Sequence, residues 1–123
     1  RRSKTFIFYL NSNIKKIKFL KSKGIKLIKS KLDNNNNIDL NFVINFAYKN
    51  EVTSIIVEGG RNLTQSFISK KLFNEFYLFQ SGKKISQKGN ININKLKKSI
   101  EISFKNKKIV DTYLDKDQIY KYY

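Results

Sequence analysis

The chain has 123 residues and a formal net charge of +17, from 26 lysines and arginines against 9 acidic residues. It contains no Cys, His, Met, Trp or Pro, which excludes disulfides, thiolate or imidazole metal sites, and nucleophilic catalysis by a Cys–His or Ser–His pair. No run approaches the roughly 18 apolar residues of a membrane span, no signal peptide is recognisable, and the absence of cysteine suits a reducing compartment, so the expectation is a soluble cytoplasmic protein with no membrane partner.

In chain order, the apolar run Thr5–Tyr9 reads as a buried strand. Asn13 is placed to cap a helix carrying Ile14, Ile17 and Leu20 on one face, and Lys23-Gly24 supplies its stop. Ile25–Lys29 reads as a second strand, and 33–37 as a polar loop. Asp39 is a good N-cap for a helix whose stripe is Leu40, Val43, Ile44 and Ala47, widened by Phe46. The β-branched run Ser54–Glu58 predicts a central strand. Gly59-Gly60 follow, then a helix from about Arg61 to Lys70 with Leu63 and Phe67 inward, then a strand over Glu75–Gln80.

Beyond Ser81 the chain turns polar, with Ile85, Ile91, Ile93 and Leu96 as isolated anchors. Ile100, Ile102 and Phe104 alternate with polar residues and predict a half-exposed strand, turning at 105–108 and returning over Ile109–Leu114. The order β-α-β-α-β-α-β-β-β predicts an α/β fold: a mostly parallel central sheet with helices on both faces and a C-terminal antiparallel hairpin. Residues 1–123 are expected to form a single, incomplete domain. Without an initiator Met, the chain reads as a piece of something longer.

One constellation could carry chemistry: Ile55-Ile56-Val57-Glu58-Gly59-Gly60-Arg61-Asn62-Leu63-Thr64. A strand running into two glycines and a helix start brings unpaired backbone N–H groups and a positive dipole end to one point, suited to an anion such as a pyrophosphate. Thr64, Gln65 and Ser66 could add side-chain donors, and Glu58 would suit hydroxyl or amino donors of a ligand. A tight βα turn with a solvated Glu58 fits the same residues. Neither the P-loop spacing nor the Gly-x-Gly-x-x-Gly fingerprint is present.

The stretch from Val57 to Ile68, followed by Leu72-Phe73-Asn74-Glu75-Phe76, resembles the C-terminal reductase domain of the bifunctional riboflavin-biosynthesis deaminase/reductase. Asn74 stands where that family usually has Asp, and Gln80–Lys84 replaces a Pro and a Leu-Gly. The resemblance implies a dihydrofolate-reductase-like fold with its N-terminal part missing here. It also implies NADPH-dependent reduction of the ribosyl group of 5-amino-6-(5-phosphoribosylamino)uracil, in a homodimer. Glu58 would then contact the pyrimidine ribosyl phosphate substrate. Gly59, Gly60, Arg61, Asn62, Leu63, Thr64, Gln65 and Ser66 would contact the cofactor, mostly through backbone, with Arg61 either at a cofactor phosphate or in solvent. No catalytic residue is nominated. The zinc deaminase domain is absent, since its His and Cys ligands are.

The alternative is a small basic nucleic-acid-binding module, using Lys15–Lys31 and Lys83–Lys108 on phosphates. The charge distribution argues against it. Residues 1–32 hold 11 bases and no acid, and 83–123 hold 11 bases and 4 acids, whereas 33–82 are almost neutral with 4 bases and 5 acids. Lysines flanking a neutral centre on amphipathic elements read as solvated faces. The abundant Lys, Ile, Asn, Phe and Tyr all have codons made only of A and T, so an AT-rich genome would enrich them whatever the function.

Overall fold

The computed structural model describes residues 4–83, 93–113 and 116–123. The anchors Ile85 and Ile91, and the end of the expected hairpin at Leu114, lie outside the described residues. The element order is β1 (Phe6–Tyr9), α1 (Ile14–Ser22), β2 (Lys26–Lys29), α2 (Leu40–Lys49), α3 (Arg61–Ser69), β3 (Phe76–Gln80), α4 (Asn94–Ser103), β4 (Lys107–Val110) and β5 (Gln118–Tyr122). The chain divides into two compact units, Arg1–Ile56 and Val57–Tyr123.

In the first unit β1 and β2 pair in parallel, with Phe6 opposite Lys26 and Tyr9 opposite Lys29. α1 makes the crossover. The Asn13 side chain accepts from the Lys15 N–H at 2.8 Å, and Gly24 closes the helix at φ +75°, as the sequence predicts. The Asp39 carboxylate caps α2 by accepting from the Asn41 N–H at 2.9 Å. Alternation along β1 puts Phe6 and Phe8 on one face, and a four-residue step along α2 puts Phe42 and Phe46 on one face. The two pairs interlock edge to face. Phe46 lies 5.3 Å from both Phe6 and Phe8, and Phe42 lies 6.4 Å from Phe8.

The second unit is a three-stranded antiparallel sheet in the order β3-β5-β4. Phe76 pairs with Tyr122 and Gln80 with Gln118, while on the other side of β5 Lys107 pairs with Tyr122 and Val110 with Ile119. Helices α3 and α4 supply Ile68 and Ile100 to a core shared with Tyr122 and bordered by Phe73, Phe76, Leu78, Leu96, Phe104 and Tyr120. Phe67 stacks on Phe73 at 5.1 Å beside this core.

Three expectations are corrected. The predicted central strand Ser54–Glu58 has no ladder partner among the described residues, and Ile56 is 85% exposed. β-propensity describes how a residue fits an existing pleated surface and does not supply the neighbouring strand. The predicted strand over Ile100–Phe104 is instead the end of α4. Leu96 and Ile100 recur four residues apart on one helical face, with the C-cap Phe104 beside the same core; Ile100 is buried and Ile102 is 85% exposed. The antiparallel hairpin is formed by β4 with β5. Finally, the described strands are parallel only between β1 and β2, and the larger sheet is antiparallel throughout. The result is a mixed α/β chain with small sheets.

Candidate functional site

The site begins where an extended, unladdered segment enters α3. Gly60 is the N-cap, at φ −69° and ψ 173°, and no side chain caps the helix. The backbone ladder starts with the Thr64 N–H donating to the Gly60 carbonyl at 3.2 Å. The earlier amides of the first turn therefore have no acceptor inside the helix. The first turn also holds no acidic residue. Arg61 adds a full positive charge to the positive end of the helix dipole, with no acidic partner among the described residues. That arrangement is unfavourable until an anion arrives.

Helix formation at this point follows from burial on one face. Thr64, Phe67 and Ile68 fall at i, i+3 and i+4 and are buried. Gly60, Arg61, Asn62 and Leu63 are left around a shallow open hollow of about 450 Å³. All four are exposed, as are Glu58 and Gly59. Leu63, expected to point inward, is 41% exposed and lies against Gly59.

The structure separates the predicted residues into two groups. Gly60–Leu63 border the hollow, with their amides unpaired within the helix. The side chains expected to add donors have already spent them: Thr64 Oγ1 donates to the Gly59 carbonyl at 3.4 Å, Ser66 Oγ to the Asn62 carbonyl at 2.9 Å, and Gln65 Nε2 to Ser99 Oγ at 3.4 Å. The donors offered at the hollow are backbone N–H groups, Arg61 and the exposed Asn62 amide. Ser99, which ties α4 to the back of α3, escaped sequence reasoning because residues 94–99 carried no helix assignment.

The glycines also play different parts from those expected. Neither Gly59 nor Gly60 adopts a left-handed conformation. A Cβ on Gly59 would lie 2.7 Å from Leu63 Cδ2 and 3.0 Å from Leu63 Cβ, whereas a Cβ on Gly60 would meet nothing within 4 Å. A side chain on Gly59 would have to displace Leu63, whereas the space beside Gly60 is open.

Among the described residues no cluster of acidic side chains could hold a metal ion, and no helix is long and apolar enough to cross a membrane. Lys15, Lys16, Lys18 and Lys21 are exposed on α1 of the first unit, while Lys107 and Lys108 belong to β4 of the second.

A family model described as the RibD C-terminal domain matches residues 2–105, which takes in the helix start, both glycines and Glu58. Neither the curated proteins nor the solved structures yield a match.

Proposed function

Because the chain belongs to the RibD C-terminal domain family, a reductase-type family of riboflavin biosynthesis, we propose that it serves the NADPH-dependent reduction of the ribosyl group of 5-amino-6-(5-phosphoribosylamino)uracil. The observation that carries this reading is the uncapped start of α3, with Arg61 in its first turn and no side-chain acceptor there. Backbone amides at a helix N-terminus suit a phosphate-bearing ligand, and the dipole favours its charge.

When bound, the nicotinamide supplies the hydride. The protein contributes position and electrostatics. The amides of Arg61, Asn62 and Leu63 hold the cofactor pyrophosphate in the hollow, and Arg61 adds a cation within reach of the same charge. Glu58, exposed on the segment entering the helix, accepts hydroxyl or amino donors of the substrate. The side chains of Thr64, Gln65 and Ser66 act indirectly, by holding the helix start. The protein works as a homodimer in the cytoplasm.

The test is the oxidation of NADPH by the protein, followed by loss of reduced-nicotinamide absorbance, with and without the aminopyrimidine ribosyl phosphate. Oxidation should depend on the substrate and be faster with NADPH than with NADH. Glu58→Gln should raise KM by about tenfold, as expected for a lost hydrogen bond to a charged group. Residues 1–123 alone, read as an incomplete domain, are expected to be inactive, so the assay uses the full-length protein; oxidation by it that is independent of the substrate, or none at all, would refute the assignment.

A further inference from the structure

We infer that Thr64 is a positioning residue that sets the Gly59–Gly60 peptide at the mouth of α3, and that a side chain at Gly59, unlike one at Gly60, would have to displace Leu63. The identity of the occupant rests on the reductase reading above; the role of Thr64 in the turn does not. Thr64 is buried, unlike every other side chain assigned to the site. A helical threonine commonly back-bonds to the carbonyl four residues earlier. Here that carbonyl, on Gly60, receives the Thr64 N–H, and the Thr64 hydroxyl reaches one residue further back to the Gly59 carbonyl.

The consequence follows from the planarity of the peptide unit. In a trans peptide the carbonyl and the following N–H point in opposite directions. Turning the Gly59 carbonyl toward the buried Thr64 hydroxyl turns the Gly60 N–H outward, adding a donor to the amides that begin α3. Leu63 packs against Gly59, its side chain occupying the space a Gly59 Cβ would need. The buried Thr64 hydroxyl and the Leu63 side chain thus fix a peptide that faces the ligand, and the Thr64 hydroxyl does so without touching the ligand itself.

The experiment compares Thr64→Val, Thr64→Ser and Gly59→Ala in the whole protein by two measurements. The first is the backbone order parameter of the Gly60 amide without ligand. In the wild type and in Thr64→Ser it should stand near the rigid value of about 0.85, and in Thr64→Val it should fall toward about 0.6. The second is the dissociation constant for NADPH, which should rise about tenfold in Thr64→Val, return to within about twofold in Thr64→Ser and rise in Gly59→Ala.

An unchanged Gly60 order parameter in Thr64→Val would overturn the proposal. So would failure of Thr64→Ser to rescue, since the methyl and not the hydroxyl would then be responsible. A wild-type protein that binds no NADPH would overturn the reductase reading instead, and the order parameters would still decide the part played by Thr64.

Discussion

Helices α1, α2 and α3 each end on a residue in the left-handed region: Gly24 at φ +75°, Glu51 at φ +62° and Lys71 at φ +53°. All three close with the same paired bonds. In α3 the Lys71 N–H donates to the Ile68 carbonyl and the Leu72 N–H to the Phe67 carbonyl, at 2.9 and 3.0 Å. Only the first stop is legible in the sequence, because glycine announces this conformation and lysine or glutamate does not. The same limit applies at Gly59 and Gly60. Their sequence marks a turn, but which glycine has room for a side chain depends on where the Leu63 side chain lies. Burial of a hydroxyl is equally invisible in one dimension. Tyr122 is 1% exposed, and its hydroxyl has no hydrogen-bond partner among the described residues. Removing such a group relieves a desolvation cost, so Tyr122→Phe should raise unfolding stability by about 1 kcal/mol. Urea denaturation checks this, and a loss of stability would show that the hydroxyl is satisfied.

At the scale of elements, α1 and α2 were readable because side-chain caps and three- or four-residue apolar spacing agree, and α3 because a glycine pair precedes such spacing. α4 was not. It has no side-chain cap, and a short window over Ile100–Phe104 fits alternation as well as it fits a helix. The two assignments differ in the fate of Ile102. Ile100→Ala should cost about 2–4 kcal/mol by leaving a cavity in the core, while Ile102→Ala on the exposed face should change stability by less than about 0.5 kcal/mol. Comparable losses at both positions would favour the strand.

The β3–β5 pair carries an electrostatic device of its own. Lys121 lies opposite Lys108 in the register, an unfavourable like-charge pairing. Its ammonium donates to Glu75 Oε1, while the Tyr77 hydroxyl donates to Glu75 Oε2 at 3.2 Å. The Lys121 bond, with help from the Tyr77 hydroxyl, holds the Glu75 carboxyl below its ordinary pKa, and its bond to Glu75 raises the Lys121 ammonium above its own. A lowered carboxyl pKa means stability that is complete above the ordinary value near 4.5 and is lost as pH falls through the folded value. For Lys121 the contribution is present below about pH 10.5 and is lost as pH rises through its raised value. Glu75 is exposed and Lys121 only half-buried, so the effect is modest and screened by salt. The unfolding midpoint of Glu75→Gln should fall less between pH 5 and pH 3 than that of the wild type (about the ordinary carboxylate range). Parallel pH profiles would remove Glu75 from the acid response.

Over the whole molecule, the alternation of strands and helices up to β3 was legible except at Ser54–Glu58. The sheet topology was not. Whether a strand pairs in parallel or antiparallel depends on which neighbours the rest of the chain brings, as β5 inserting between β3 and β4 shows. The family match extends across both compact units but ends at residue 105, so β4 and β5 lie beyond it. The candidate site was legible because a glycine pair, a helix start and a preceding β-branched run lie within a few consecutive residues. Its donor set was not, because the side chains of Thr64, Gln65 and Ser66 turn back into the protein.

The central claim is that a phosphate-bearing nicotinamide cofactor sits on the backbone at the start of α3. Its most direct test is residue-resolved amide NMR of the protein titrated with NADPH. The account predicts that the largest shifts fall on the amides of Gly60, Arg61, Asn62 and Leu63 and saturate together, while the lysines of α1 stay where they are. Shifts spread over the lysine-bearing elements, with that first turn unmoved, would contradict it.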